Sequence, residues 1–156
     1  MAIFKEIRGH EFYLYMDGKL IYKRWLDKGY SKVFDIMAYD KYTLMSIRDM
    51  QNANPSDLIT VNARFTLLAT EQGGRRTGIC SGYRPNHVFE YNKNGKVFQT
   101  YIADIVFDKD ATIEPGESRE VAVRFFLHQR IEGYLDKGQK WMIHEGAKLV
   151  GYCEVI

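Results

Sequence analysis

The sequence gathers its most pointed chemistry in Gln72-Gly73-Gly74-Arg75-Arg76-Thr77-Gly78. Paired glycines let a backbone come close to a partner, because no Cβ stands in the way. Two adjacent arginines present planar forks that match phosphate or carboxylate. The loop therefore reads as an anion- or RNA-contacting element. A purely structural reading has the glycines making a turn and the arginines pairing with Glu71 and Glu90. Surface arginines usually pair or are solvated. RNA binding through five or six phosphates would also give a log–log salt slope of about −4.

A second candidate surface is an aromatic hairpin carrying Tyr13, Tyr15, Tyr22 and Trp25, with Lys23 and Arg24 interleaved. Such residues form protein hot spots or stack unpaired bases; they also serve simply to cover a core. Other groups offer less. His10, His87, His128 and His144 are scattered without metal-ligand spacing. Ser81 lies in CSGYR, which is not a nucleophile elbow. Asp104 and Asp108 read as strand-end turn residues. Cys80 and Cys153 form neither a CxxC pair nor a disulfide framework; they read as reduced thiols of a cytoplasmic protein, with Cys80 a small core hydrophobe. The expectation is a protein without enzymatic activity, cofactor or metal.

These residues need a scaffold, and the scaffold reads as β. Near the start, Asp17-Gly18 separates two aromatic-rich runs, EFYLYM and KLIYKRW, a strong signal for a hairpin with a type I′ turn. A two-residue loop sets Met16 against Lys19, Leu14 against Ile21 and Tyr13 against Tyr22. One face then carries Phe12, Leu14, Met16, Ile21 and Trp25, and the other Tyr13, Tyr15, Leu20 and Tyr22. KVFDIMAY reads as a further strand, and Asp40 as the cap of a short helix, KYTLMSIRDMQ. Gln51-Asn52-Ala53-Asn54-Pro55-Ser56-Asp57 is the break candidate, polar and turn-rich. It divides the chain into residues 1–57 and 58–156.

Beyond the break, Ile59, Val61, Ala63, Phe65, Leu67 and Ala69 alternate with polar neighbours at period two. HVFEYN and KVFQTYIADIVF flank the turn Lys93-Asn94-Gly95. Pro115-Gly116 fits the centre of a type II turn. EVAVRFFLHQ places Val121, Val123, Phe125 and Leu127 on one face, and KWMIHE and KLVGYCEVI close the chain. Half a dozen antiparallel strands at short spacing mean a small barrel or sandwich. Composition agrees. Aromatics are 14% of the 156 residues, and such residues favour half-buried strands. With 22 basic and 20 acidic side chains the net charge is +2, too balanced for a nucleic-acid coat or a polybasic anchor. No apolar run is long enough for a membrane span.

Residues 58–156 resemble the C-terminal, third domain of bacterial elongation factor Tu. Four features carry the resemblance in order. ARFTLLATEQGGRRTGICSGYRP, residues 63–85, is similar to the family's strand, Glu-Glu-Gly-Gly-Arg and Gly-Tyr-Arg-Pro. EPGES, residues 114–118, is similar to its Pro-Gly-Asp turn, and REVAVRFFLHQRI to the strand that follows. KWMIHEGAKLVGYCEVI, residues 140–156, is similar to its closing strands. The sequence departs from the family at EYNKNGKVFQT, residues 90–100, and at His144, Ala147 and Lys148. It has no GxxxxGK[ST] phosphate loop.

The resemblance implies a six-stranded antiparallel barrel, with residues 1–57 as an added hairpin and short helix. In the family this barrel helps bind the aminoacyl-tRNA T-stem and packs on the GTPase domain. It therefore implies a non-catalytic module that binds a protein partner, a translation component or a toxin that docks on the factor. The alternative is tRNA held by an arginine patch of Arg75, Arg76 and Arg84 with Asn86 and Lys148. The hairpin edge also admits pairing with a second copy.

Overall fold

The computed structural model of the protein describes residues 2–25, 27, 30–48, 58–126 and 131–156. They form two compact units. One comprises Met1–Asn54 with Arg130–Gly133, the other Pro55–Gln129 with Tyr134–Ile156. The break candidate at residues 51–57 lies outside the described residues.

The first unit is a four-stranded antiparallel meander of β1 (Ile3–Arg8), β2 (Glu11–Met16), β3 (Lys19–Trp25) and β4 (Tyr30–Val33), followed by α1 (Ile36–Arg48). β1 is an addition to the sequence reading. Its alternation is blurred because Phe4 and Ile7, on opposite faces, are both exposed apolar residues. The expected hairpin edge is therefore interior: β2 and β3 are the central strands, and β1 and β4 form the edges.

The turn is as expected, with φ of 50° at Asp17 and 80° at Gly18, the two positive values that type I′ requires. The register is not. Met16 opposes Lys19 and Tyr15 opposes Leu20, but Leu14 then opposes Tyr22 and Tyr13 opposes Lys23. A bulge admits one extra residue in β3, and a one-residue slip sends every later side chain to the opposite face. Tyr22 and Arg24 thus join Phe12, Leu14, Met16 and Ile21 on the buried side, while Trp25 moves to the outer side.

Helix α1 covers the buried side of this sheet. Tyr39 stacks on Tyr22 with centroids 5.2 Å apart, and the Lys5 ammonium sits 5.6 Å from the Tyr42 ring centre. The helix starts earlier than expected. Strand β4 ends at Val33, and Asp35, not Asp40, is the cap. The Ala38 amide donates to Asp35 Oδ1 at 3.1 Å, a short side-chain oxygen satisfying a first-turn amide. That amide and the Lys19 ammonium, 3.0 Å away, hold the Asp35 carboxyl below its ordinary range.

The second unit contains β5 (Leu58–Leu67), β6 (Ile79–Cys80), β7 (Asn86–Val88), β8 (Tyr101–Val106), β9 (Thr112–Ile113), β10 (Ser118–Phe126), β11 (Lys140–Glu145) and β12 (Lys148–Val155). Six of them close a barrel in the order β10-β5-β12-β11-β7-β8, and β6 and β9 pair separately. The protein is thus mainly β, with the six-stranded antiparallel barrel that the sequence led us to expect. The period-two pattern explains the closure. Ala63, Phe65 and Leu67 of β5 and Val121, Val123 and Phe125 of β10 point inward, and Asn62 and Arg64 point to water. The alternation expected to reach Ala69 stops at Leu67, where residues Thr70–Gln72 make a 3₁₀ turn. Gly116 has φ 91°, and the Glu117 amide reaches Glu114 O at 3.0 Å, as a type II turn demands. Leu127 and His128 lie outside the described residues.

Aromatic packing fills the barrel interior. His87 is fully buried and lies edge-on to Phe125. The Trp141 indole N–H donates to His87 Nδ1 at 3.0 Å. An indole nitrogen can only donate, so Nδ1 is the acceptor and the ring proton sits on Nε2. Nε2–H then donates to Ala103 O at 3.2 Å. Burial pushes the imidazole down to about 3.

Candidate functional site

The glycine–arginine loop packs against its own barrel. Gly74 is buried, and a Cβ there would lie 2.9 Å from Ala69 O. The close approach that the paired glycines permit is thus to the chain itself. Arg75 does not pair with Glu71 or Glu90. Its guanidinium bonds Glu145 at the end of β11, its Nε donates to Thr77 O at 3.2 Å, and it lies 5.4 Å over the Tyr83 ring. The Tyr83 hydroxyl donates to the same Glu145 oxygen at 2.5 Å.

Glu145 is the hub of this end of the barrel. Lys148 stands directly opposite it across the β11–β12 turn. Burial disfavours the Glu145 carboxylate, but Tyr83, Arg75 and Lys148 outweigh that effect and hold it below its ordinary range. Burial likewise opposes the Arg75 charge, and Glu145 more than offsets it. Burial first, and Glu145 second, push the Tyr83 hydroxyl up. Arg76, Arg84 and Lys148 are exposed. Asn86 pairs with His144 across β7–β11. Arg75, Lys148 and Asn86 are thus brought to one end of the barrel, with Arg75 committed internally; Arg76 follows Arg75 in the chain, and Arg84 follows Tyr83.

The sequence reading missed Glu145, Tyr83 and the Tyr91–His144 pair on this rim. His144 is 5% exposed, and its Nε2 lies 2.6 Å from the Tyr91 hydroxyl. Its Nδ1 has no hydrogen-bond partner among the described residues. Tyr91 and Leu149, 41% and 39% exposed, add apolar surface. A signal existed: Glu145 and Lys148 bracket the last turn as an opposite-charge pair. Asp104 is not a strand-end residue. It lies inside β8, buried and paired with Arg124, whose Nε is 2.8 Å from Oδ1. Cys80 is exposed and Cys153 buried, the reverse of the expectation for Cys80.

On the first unit, the outer face of the meander brings Tyr13, Tyr15 and Trp25 together with Phe4. Tyr13 and Tyr15 stack at 6.4 Å, and Phe4 lies 5.8 Å from Tyr15. Tyr22, expected on this side, is buried against α1 instead, because of the bulge. Glu11 braces the row. It accepts from the Tyr13 hydroxyl, from Lys23 Nζ at 3.0 Å and from Trp25. The Lys23 ammonium lies 4.8 Å from the Tyr13 ring centre and 4.5 Å from that of Trp25.

Among the described residues no group of three or more His, Cys, Asp or Glu side chains is placed to hold a metal ion, and no helix is long and apolar enough to cross a membrane. No family model matches the chain.

Proposed function

We propose that the protein is a non-catalytic binding module of the elongation factor Tu C-terminal barrel type, and that it engages a protein partner through the Arg76–Arg84–Lys148 rim. The partner is a translation component or a toxin that docks on the factor. The observation carrying this reading is the braced Arg75 beneath an exposed rim. Glu145, Tyr83 and Thr77 fix the loop, so Arg76 is presented on a prepared backbone, which lowers the ordering cost of binding. Arginine and tyrosine are among the residues enriched at the core of interfaces.

A tRNA ligand is the competing reading, favoured by the cationic exposed side chains of that rim. It is weakened because Arg75 is already neutralised by Glu145. Affinity capture from lysate with the full chain, with and without ribonuclease, separates the two. A translation protein or toxin should be recovered whether or not ribonuclease is added, and Arg76→Glu with Arg84→Glu should release it. Recovery abolished by ribonuclease supports tRNA, and recovery of neither class removes both readings.

A further inference from the structure

We infer that the outer face of the β1–β4 sheet binds an unpaired, single-stranded nucleic acid, stacking bases on Phe4, Tyr15 and Trp25 and holding phosphates with Arg8, Lys23 and Lys32. This surface belongs to the first unit, and the inference does not rest on the reading of the barrel rim.

The fold carries a cost at this face. Lys23 and Lys32 are directly opposed across β3 and β4, and like charges directly opposite each other destabilise a sheet. Glu11 balances Lys23 at 3.0 Å, whereas Lys32 is exposed, with its ammonium 5.0 Å from the Phe34 ring centre. On β1, Arg8 bonds Glu6 at 2.7 Å and also lies 4.8 Å over the Tyr13 ring. Among the described residues of this face, Arg8 and Lys23 are each paired with a carboxylate, and Lys32 adds a third cation. An anion bridging Lys23 and Lys32 would relieve their opposition.

The second line is the ring array. Phe4 is 59% exposed, although it lies within a strand. Tyr13 has both Arg8 and Lys23 within 4.8 Å of its ring centre and is anchored by Glu11, so it organises the surface. Alternating rings and cations are what a single strand needs: planar faces for its bases and positive charge for its backbone. A strand's π faces are all alike to such a platform, so the binding tolerates sequence change.

Size favours a strand over a globular partner. Four strands of this length span roughly 20 Å by 15 Å, about 300 Å² of sheet. A stable protein interface takes about 800 Å² of accessible surface from each partner, so this face alone is a small footprint for a globular partner. The charge distribution points the same way: residues 1–54 contain nine basic and seven acidic side chains, and residues 55–156 thirteen of each.

Fluorescence anisotropy of a labelled uridine 12-mer, titrated with the full chain at low salt, tests the inference. Binding is expected, with a log–log salt slope between about −1 and −2, because Arg8 and Lys23 share their charge with Glu6 and Glu11 while Lys32 is exposed. Tyr15→Ala and Trp25→Ala should each weaken it by about tenfold, and Lys32→Glu, at an exposed position, should weaken it and flatten the salt slope. A duplex of the same length should bind less well. Matching melting curves establish that the variants are folded; Lys32→Glu serves where an aromatic variant is not. The inference is overturned if the wild type fails to bind the 12-mer. It is equally overturned if binding survives all three substitutions but falls with Arg76→Glu and Arg84→Glu, if the duplex binds as tightly, or if the face retains only a protein after ribonuclease.

Discussion

His87 illustrates how one buried side chain sets a pH limit on the barrel. Its imidazole titrates near pH 3 in the folded chain, because burial disfavours the charged form. An exposed imidazole titrates near pH 6.5. Below that value the unfolded chain takes up a proton that the folded chain refuses, so stability falls as pH falls from about 6.5 to about 3. The slope is about 1.4 kcal/mol per pH unit in the interior of that window. Between pH 6 and 5 the depressed carboxylates Glu145 and Asp35 remain ionised, so the imidazole dominates the change there. Denaturant midpoints should therefore drop over this interval, and His87→Gln, which can still accept from Trp141, should flatten the drop. A wild-type midpoint that stays constant from pH 6.5 to 4.5 would contradict this account.

At the scale of elements, one carboxylate decides where α1 begins. Asp35 accepts from the Ala38 amide, and loss of such a cap weakens a helix start. Asp35→Ala should lower the melting midpoint by about 2–4 °C, and Asp35→Asn should restore most of it. Asp40→Ala should leave the midpoint near its wild-type value, which discriminates the observed cap from the one read off the sequence.

That same element shows why sequence reading went only part of the way. The strands of the barrel were legible because they alternate strictly, as at Ala63, Phe65 and Leu67, and because Gly95 and Gly116 sit where turns need positive φ; their closure into a barrel rather than a sandwich was implied only by the resemblance. The hairpin register was not legible. Both faces of β2 and β3 are apolar or aromatic, so the pattern could not reveal the bulge at Leu14 and Tyr15. The helix start was hidden for a related reason: Phe34, Ile36 and Met37 continue the apolar run of β4, yet all three are exposed. Of the rim, the arginine loop could be found from its own spacing. Its partner Glu145 lies 70 residues away, and only closure of the barrel brings it near. Strand pairing also sets Lys140, Glu154, Arg64 and Glu120 in one row of alternating charge across four strands, an order that no linear window displays.

Over the whole molecule, the two units differ in how far apart in sequence their neighbours lie. The meander pairs consecutive strands, whereas β5 must find β10 and β12, so that Phe65 meets both Arg119 and Cys153. Pairing over such separations slows folding. Each unit has one tryptophan, Trp25 on β3 and Trp141 on β11. With Trp141→Phe and Trp25→Phe as single reporters, refolding seen at Trp25 should precede that seen at Trp141. Coincident traces would mean that the units fold as one.

The two thiols turn that closed cylinder into something that can be timed. Cys80 is open to solvent, while Cys153 lies in the β12 wall, where burial pushes its thiol up and hides it from reagents. Only a thiolate alkylates readily. Once Cys80 has been capped under native conditions, any later alkylation records a moment when the wall parted, and the chain carries its own clock for that event.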